Sequence, residues 1–297
     1  MENQVLYPAK RLALGTVQFG LPYGVANKNG QVSQQEAQKI LNLGLSHHLY
    51  MIDTAIGYGN SESCLGEIGV SQNKVVSKLP PMPEDTTDVE EWVFGQVTDS
   101  LNRLKAPRLH GLLLHRPLDL LGENGPSLYS ALLKMRDLSL TKKIGLSVYS
   151  PNELEILFTK YNFELVQGPL NIIDRRLFES GWLQRLKDQG VEIHTRSTFL
   201  QGLMLMSEQE RPSKFSQWSA LWTKWHQWLK VNTETALKVC LAYPLSLPEI
   251  DHVLIGADSA VQMQQILEAL PQGERTNFPN ISSTDQALIN PANWPKL

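Results

Sequence analysis

The sequence predicts an α/β fold in which eight parallel strands alternate with helices and close into a (β/α)8 barrel. Short apolar runs bounded by turn residues recur along the 297 residues, as expected for strands covered on both faces. No Gly-x-Gly-x-x-Gly follows the first run, which argues against an open dinucleotide-binding sheet. The predicted strands are Arg11–Gly15, Leu49–Ile52, Lys74–Ser77, Leu109–Leu114, Lys143–Ser147, Glu164–Gln167, Val191–Thr195 and His252–Ile255.

Helices are predicted between these strands, and several carry signals for their ends. Ser33–Glu36 is a capping box, and Ser150–Glu153 is a second one with proline at the first helical position. Gly69 and Gly190 stand where helices should end before the next strand. No linker or low-complexity tract interrupts the pattern, so residues 1–297 are predicted to form a single domain.

Two segments exceed the strand–helix repeat. Residues 201–231 form an extra loop and helix, and Pro271–Leu297 is a tail rich in proline, asparagine and serine that we expect to wrap the surface. Apolar side chains at helical spacing in the first segment predict a packing face rather than a substrate box, although a lid or an oligomer contact is also open. They are Trp218, Trp222, Trp225 and Leu229.

The composition of the chain excludes several classes of function. The net charge of −3 does not indicate nucleic-acid binding. The sequence contains no run of about 18 apolar residues, so a membrane span is not predicted. Cys64 and Cys240 are too few for a disulfide framework or a zinc cluster. Neither the adjacent pair His47 and His48 nor the spacing of His110 and His115 indicates a metal site. The first residues lack a secretory signal, so we expect a cytoplasmic protein, either a monomer or a homo-oligomer.

Four residues suited to proton transfer follow predicted strands. Asp53, Lys78 and His115 each close an apolar run, and Tyr58 lies in a glycine-flanked turn just beyond Asp53. Strand ends converge at one mouth of a parallel barrel, so these side chains are predicted to meet there. Taken singly, each also has an ordinary structural interpretation as a cap, an exposed side chain or a packing residue.

The chemistry of these residues suits a redox reaction of a carbonyl group. A phenol of ordinary pKa is a poor acid at neutral pH, and a nearby Lys78 ammonium, held by Asp53, is expected to lower the pKa of Tyr58. Tyr58 would then donate a proton when a carbonyl is reduced and accept one when an alcohol is oxidised, with His115 hydrogen-bonding or relaying. None of these side chains carries a hydride, so a nicotinamide cofactor is expected.

With these residues in place, the chain resembles the aldo-keto reductase family. The resemblance implies a TIM barrel, an NAD(P)(H)-dependent interconversion of a carbonyl (aldehyde, ketone or sugar-like) and its alcohol, and the four catalytic roles given above. The matching stretches are Leu14–Gly20, Ile52–Gly59, Val76–Lys78, Leu113–His115, Ile144–Ser147, Gln167–Asn171 and Leu254–Ala257.

The resemblance also implies cofactor-binding positions. Val148 replaces the usual asparagine, and Arg196 replaces an aromatic residue that stacks on the nicotinamide in many members. Arg196 is expected to stack on the ring in its place, or to grip the pyrophosphate or an anionic substrate. The implied positions are Gly15, Thr16, Asp53, Ser147, Gln167, Arg196, Ser197, Gly256, Asp258, Ser259 and Gln262.

The choice between NADPH and NADH turns on the segment after the last strand. Many members place a basic residue there for the 2′-phosphate of NADPH, whereas this chain has Asp258, Ser259 and Gln262. Backbone N–H groups at the helix start are still expected to be able to hold a phosphate. Asp258 either weakens the preference for NADPH by repulsion or serves only as the helix N-cap.

Two alternatives to a carbonyl reductase stay open from the sequence. One is an NAD-dependent sugar or alcohol dehydrogenase, and the other is a nucleotide-binding regulatory barrel with little turnover. Intact Tyr58 and Lys78 argue against an inactive barrel. The substrate, which is expected to be a small molecule, rests on loops that one sequence does not define.

Overall fold

The computed structural model describes residues 8–273 and 277–296. Eight parallel strands form a closed barrel in which neighbours in the chain are neighbours in space, and the eighth strand pairs with the first. This confirms the predicted (β/α)8 TIM barrel, with strand ends within two residues of the predicted ones. The strands are β1 (Leu12–Gly15), β2 (Met51–Asp53), β3 (Lys74–Leu79), β4 (Leu109–Leu114), β5 (Thr141–Ser147), β6 (Leu165–Pro169), β7 (Glu192–Arg196) and β8 (His252–Ile255).

Helices connect the strands and surround the barrel. Short 3₁₀ stretches lie at Pro8–Arg11, Pro117–Leu121, Leu203–Leu205, Ser213–Trp218 and Pro291–Lys296. The α-helices of the described ranges are α1 (Val17–Gly20), α2 (Gln34–Ser46), α3 (Ser61–Ile68), α4 (Val89–Leu104), α5 (Gly125–Asp137), α6 (Pro151–Leu157), α7 (Arg176–Glu179), α8 (Trp182–Asp188), α9 (Ser219–Val231), α10 (Ala236–Leu245), α11 (Ala260–Glu268) and α12 (Gln286–Ile289).

The predicted helix starts lie at the expected places, but neither predicted capping box is complete. At α6, Ser150 Oγ accepts from the backbone N–H of Asn152, and Glu153 Oε2 accepts from the N–H of Tyr149 instead of that of Ser150. Ser33 caps α2 by accepting from the backbone N–H of Glu36. The Glu36 carboxylate does not complete the box, however, because its Oε1 accepts from the backbone N–H of Ala260 at 2.7 Å. Gly69 ends α3 with a φ of 96°, a value that glycine adopts without a Cβ penalty. The first turn of α2 is thereby tied to the start of α11.

The core has two layers because side chains alternate along each strand. One face of the strands packs against the helices in a large apolar cluster, and the other face fills the barrel interior. The interior is therefore a packed plug rather than a pore. Its buried apolar residues are Ala13, Met51, Val76, Leu113, Leu165 and Leu254.

The two extra segments both contribute to the core. Trp222 and Trp225 of α9 are buried, and their indole N–H groups donate to backbone carbonyls, which confirms the predicted packing face. In the tail, Leu288 and Trp294 are buried, so its last part packs more deeply than the surface wrap expected from composition. Residues 274–276 and 297 of that tail lie outside the described residues.

Cys64 and Cys240 are both free and buried, so no disulfide joins them. None of the helices in the described ranges has the length and apolarity to cross a membrane.

A buried carboxylate links α3 to β3 and to α4. Glu62 of α3 accepts hydrogen bonds from Ser77 Oγ and Ser100 Oγ, both at 2.6 Å, and from Arg103 Nε at 2.9 Å. Only 2% of the Glu62 side chain is exposed, and its partners lie on β3 and α4. The loss of this carboxylate would leave two hydroxyls and a guanidinium without their acceptor.

We predict that Glu62→Ala lowers the free energy of unfolding by roughly 3 kcal/mol, because a buried pair is broken from one side. Unfolding in urea, followed by fluorescence, measures the change. Lys28→Ala is the control, since Lys28 and Glu210 form an exposed pair at 3.6 Å. The control is expected to change stability by less than about 0.5 kcal/mol. Equal losses in both variants contradict the prediction.

Candidate active site

The four predicted catalytic residues lie together at the carboxyl end of the barrel. Asp53 ends β2, Lys78 is the next-to-last residue of β3, and His115 follows β4 directly. These three strands are neighbours in the sheet, so their ends share one stretch of the rim. Tyr58 lies in the turn between β2 and α3.

A buried ion pair forms the base of the site. Lys78 Nζ lies 2.6 Å from Asp53 Oδ2 and also donates to the carbonyl oxygen of Thr54 at 2.9 Å. The side chains of Lys78 and Asp53 are only 1% and 4% exposed. Gln167 Nε2 donates to the other carboxylate oxygen at 2.6 Å. Burial lowers the pKa of Lys78, and the Asp53 carboxylate opposes that shift.

The Tyr58 ring lies above this pair. Lys78 Nζ is 5.1 Å from the ring centroid of Tyr58. Burial, aided by the charge of Asp53, raises the pKa of the Tyr58 hydroxyl well above its ordinary value. The pKa of Tyr58 is therefore raised, not lowered as the sequence analysis expects, because desolvation and the Asp53 charge outweigh the opposing charge of Arg196. The hydroxyl keeps its proton at neutral pH, which is the form that donates.

His115 contacts Tyr58 edge to face. The two ring centroids are 5.7 Å apart, with an interplanar angle of 77°. Burial and the Lys78 charge lower the pKa of His115 to about 4. Because the pKa is lowered, the charged imidazolium forms only in acid, and at neutral pH the ring is an uncharged donor and acceptor.

Glycines fix the height of the Tyr58 turn by allowing backbones to touch. A Cβ on Gly20 would lie 1.7 Å from the carbonyl oxygen of Tyr58, and Gly59, with a φ of 56°, lies against Gly20 from the other side. The end of α1 therefore packs directly on the turn. Nothing lies within 4 Å of a Cβ built on Gly57.

A cleft of about 480 Å³ opens above these residues, within the range of small-molecule sites. Tyr58, Asp53 and His115 line it, whereas Lys78 lies beneath. Most of the implied cofactor positions line the cleft too. They are Gly15, Thr16, Asp53, Ser147, Gln167, Arg196, Ser197, Gly256, Asp258 and Gln262.

Sequence reasoning missed part of the cleft lining. Gln18 contributes to it from α1, Tyr23, Tyr149 and Gln201 contribute from loops, and Gln265 contributes from α11. Motif matching had no signal for the loop residues, because loop conformation is not encoded in a local pattern. Gln265 was accessible to reasoning, since it lies one helical turn beyond Gln262 on the same face of α11.

Arg196 lies at the cleft wall. Its guanidinium carbon is 4.4 Å from the ring centroid of Tyr149, and its Nη2 donates to the carbonyl oxygen of Val148 at 3.0 Å. No carboxylate of the described residues lies within ion-pair distance of Arg196. The Val148 side chain is buried in the outer core, so it cannot replace the asparagine amide in the cleft.

The start of α11 offers fewer free donors than expected. Ser259, not Asp258, is the N-cap, because Ser259 Oγ accepts from the backbone N–H of Gln262. Ser259 does not line the cleft. The N–H of Ala260 donates to Glu36, and the N–H of Asp258 donates to Gln262 Oε1 at 2.7 Å. Burial raises the pKa of Asp258.

Comparison with known proteins places the chain in a family. The sequence model of the aldo/keto reductase family matches residues 11–276. The chain therefore belongs to that family, and it is an NAD(P)-dependent oxidoreductase acting between carbonyls and alcohols. No curated protein matches the sequence.

Solved structures agree on the fold. The chain is similar to an aldo-keto reductase from Bacillus halodurans in its holo form, with a TM-score of 0.70, 18% identity and coverage of 90% of this chain and 88% of the other. It is also similar to a glycerol dehydrogenase from Gluconobacter oxydans, with a TM-score of 0.67, 19% identity and the same coverages of 90% and 88%. At these identities the likeness shows the fold alone.

We predict that Gly20→Ala lowers kcat/KM at least about tenfold, because the new methyl group forces the Tyr58 turn to move. Reduction of a generic aldehyde measures the effect. Gly57→Ala is the matched control in the same turn and is expected to change the rate less than about twofold, since its Cβ meets no atom. A Gly20→Ala enzyme that is folded by circular dichroism and fully active counts against the prediction.

Proposed function

We propose that this oxidoreductase reduces a small carbonyl compound with Tyr58 as the proton donor. The observation that carries the proposal is the fully buried Lys78–Asp53 pair directly beneath the Tyr58 ring. Removing two charges from water carries a large desolvation penalty. Buried charged groups at a cleft are therefore often functional. His115 beside Tyr58 completes the proposed set.

The cleft residues fit a nicotinamide cofactor. Gln18 Oε1 is buried without a hydrogen-bond partner and Ser147 lines the cleft, so both side chains can bind polar groups of a ligand. Ser147 and Gln167 would hold the carboxamide, and Arg196 and Ser197 the pyrophosphate. When bound, the cofactor supplies or takes up the hydride.

The protein's own groups manage the proton. Tyr58 gives its hydroxyl proton to the carbonyl oxygen as that oxygen gains negative charge, and it takes the proton back in the reverse direction. Lys78 stabilises the resulting phenolate from below the ring, and Asp53 keeps the ammonium in place. Uncharged His115 donates a hydrogen bond to the same substrate oxygen.

The raised pKa of Tyr58 favours reduction over the dehydrogenase alternative. Reduction needs the protonated phenol, which predominates across neutral pH, whereas oxidation needs the scarce phenolate. Because the pKa of Tyr58 is raised, the form of the enzyme that predominates at neutral pH is the protonated one, which carbonyl reduction requires. The same intact set of groups supports an enzyme over a regulatory barrel.

Two carboxylates also support NADH as the preferred cofactor. Asp258 lines the cleft, and Glu36 occupies the N–H of Ala260 at the start of α11, where a 2′-phosphate would otherwise find a backbone donor. A phosphate at this position would meet two negative side chains and lose one donor. A free ribose hydroxyl would instead donate to Asp258.

We predict that Tyr58→Phe lowers kcat for aldehyde reduction by about 10²–10⁴-fold and leaves cofactor binding unchanged, because only the proton is lost. Steady-state rates and a fluorescence titration with NADH measure the two quantities. Tyr50→Phe is the control, since Tyr50 precedes β2 at the other end of the barrel. Full activity of Tyr58→Phe would refute the assignment of the proton donor.

We predict that NADH binds at least as tightly as NADPH, and that Asp258→Asn with Glu36→Gln improves NADPH binding relative to NADH by about tenfold, or ~1.4 kcal/mol. Fluorescence titrations give both dissociation constants. Glu268→Gln, at the far end of α11, is the control and should leave the ratio unchanged. Wild-type enzyme that binds NADPH tenfold tighter than NADH rules out this preference.

A further inference from the structure

A second cluster of ionisable residues lies at the end of the barrel opposite the cleft. Glu192 and His194 are two residues apart on β7 and therefore face the same side of the strand. His252 begins β8 and is the direct strand partner of His194. His252 also lies two residues before Leu254, which belongs to the apolar interior of the barrel.

These three side chains are close enough to share a ligand. One potential ligand atom from each of Glu192, His194 and His252 lies within 4.8 Å of the other two. The imidazole rings of the two histidines are 4.9 Å apart and nearly perpendicular, at 78°. His194 Nε2 lies 2.7 Å from Glu192 Oε1.

Both histidines carry an unused nitrogen. Nδ1 of His194 and Nδ1 of His252 are buried and have no hydrogen-bond partner. The His194 side chain is 0% exposed, whereas His252 is partly exposed. Buried polar atoms in proteins nearly always have a partner, so these two nitrogens are available to bind a ligand.

We propose that Glu192, His194 and His252 form a binding site for a divalent transition-metal ion, with Zn²⁺ as the best match. Two imidazoles and one carboxylate are a donor set that Zn²⁺ accepts, and three protein ligands leave a fourth position for water. Ligands at about 2.0–2.2 Å from a tetrahedral ion lie about 3.4 Å apart, so binding draws the three groups together.

Two neighbouring basic side chains, Lys143 and His110, complete the surroundings of Glu192. Lys143 Nζ lies 2.6 Å from Glu192 Oε2, and His110 Nε2 lies 2.9 Å from Oε1. In the metal-bound form, Lys143 would still donate to Glu192 Oε2 while Glu192 Oε1 binds the metal. His110 would then orient the carboxylate through a hydrogen bond. The Lys143 charge repels a metal ion, so the affinity is moderate.

The metal would have a structural role. Its ligands come from β7 and β8, and His110 adds β4, so one ion ties together strands from across the barrel. The apolar interior residues follow His252 along β8 and precede Lys78 and His115 along β3 and β4, so they separate this site from Tyr58. Bound Zn²⁺ is expected to raise Tm, because it binds only the folded protein.

The test uses tag-free, full-length enzyme freed of metal with EDTA and titrated with ZnCl₂ in a calorimeter. The wild type is expected to bind one equivalent with a micromolar Kd, of the order of 10 µM or tighter, and to gain Tm. His252→Gln is the main variant, because His252 is partly exposed and its replacement is the better tolerated. It should weaken binding by at least tenfold, to about 100 µM or weaker.

The control is the double variant His47→Gln/His48→Gln, which removes an adjacent, solvent-accessible histidine pair elsewhere on the surface. It should keep wild-type affinity. Co²⁺ in place of Zn²⁺ gives a second readout, a visible d–d absorption that His252→Gln reduces at the same Co²⁺ concentration. Absence of saturable binding, equal affinity in His252→Gln, or loss only in the control would each overturn the proposal. None of these results depends on the assignment of Tyr58.

Discussion

The buried ion pair between Lys78 and Asp53 is the constraint on which the rest of this structure depends. Two charges removed from water are stable only if each is fully bonded, and here Asp53 uses both oxygens, one for Lys78 and one for Gln167. That requirement links β2, β3 and β6 at the rim. Neither side chain can move without leaving the other charge unpaired, so the ion pair stays fixed beneath the Tyr58 ring.

The surroundings of the pair then separate the acid–base properties of its neighbours. The half-buried Tyr58 hydroxyl lies near a carboxylate, so its proton is held tightly, while the half-buried His115 ring lies near an ammonium and stays uncharged. The same desolvation therefore acts in opposite directions on the two groups. The outcome is a donor phenol next to a neutral imidazole. The backbone contact between Gly20 and Tyr58 keeps that phenol at the height of the cleft.

Sequence reasoning located the fold and the four central residues because strand ends carry a strong local signal. It failed where the answer depends on distant atoms. The pKa direction of Tyr58 depends on how deeply the ring is buried, and Ser259 displaces Asp258 as the N-cap through a single hydrogen bond. The Glu36 contact with Ala260 spans 224 residues of sequence, and His194 meets His252 across two strands, so neither pair shows any spacing pattern.

The most direct test of the central claim is a double-mutant cycle on Asp53→Asn and Lys78→Met, read as kcat for aldehyde reduction. If the two residues act as one unit beneath Tyr58, each single variant loses nearly as much activity as the double variant, as seen for groups that function together. Losses that simply add, as they do for independent sites, would contradict the account.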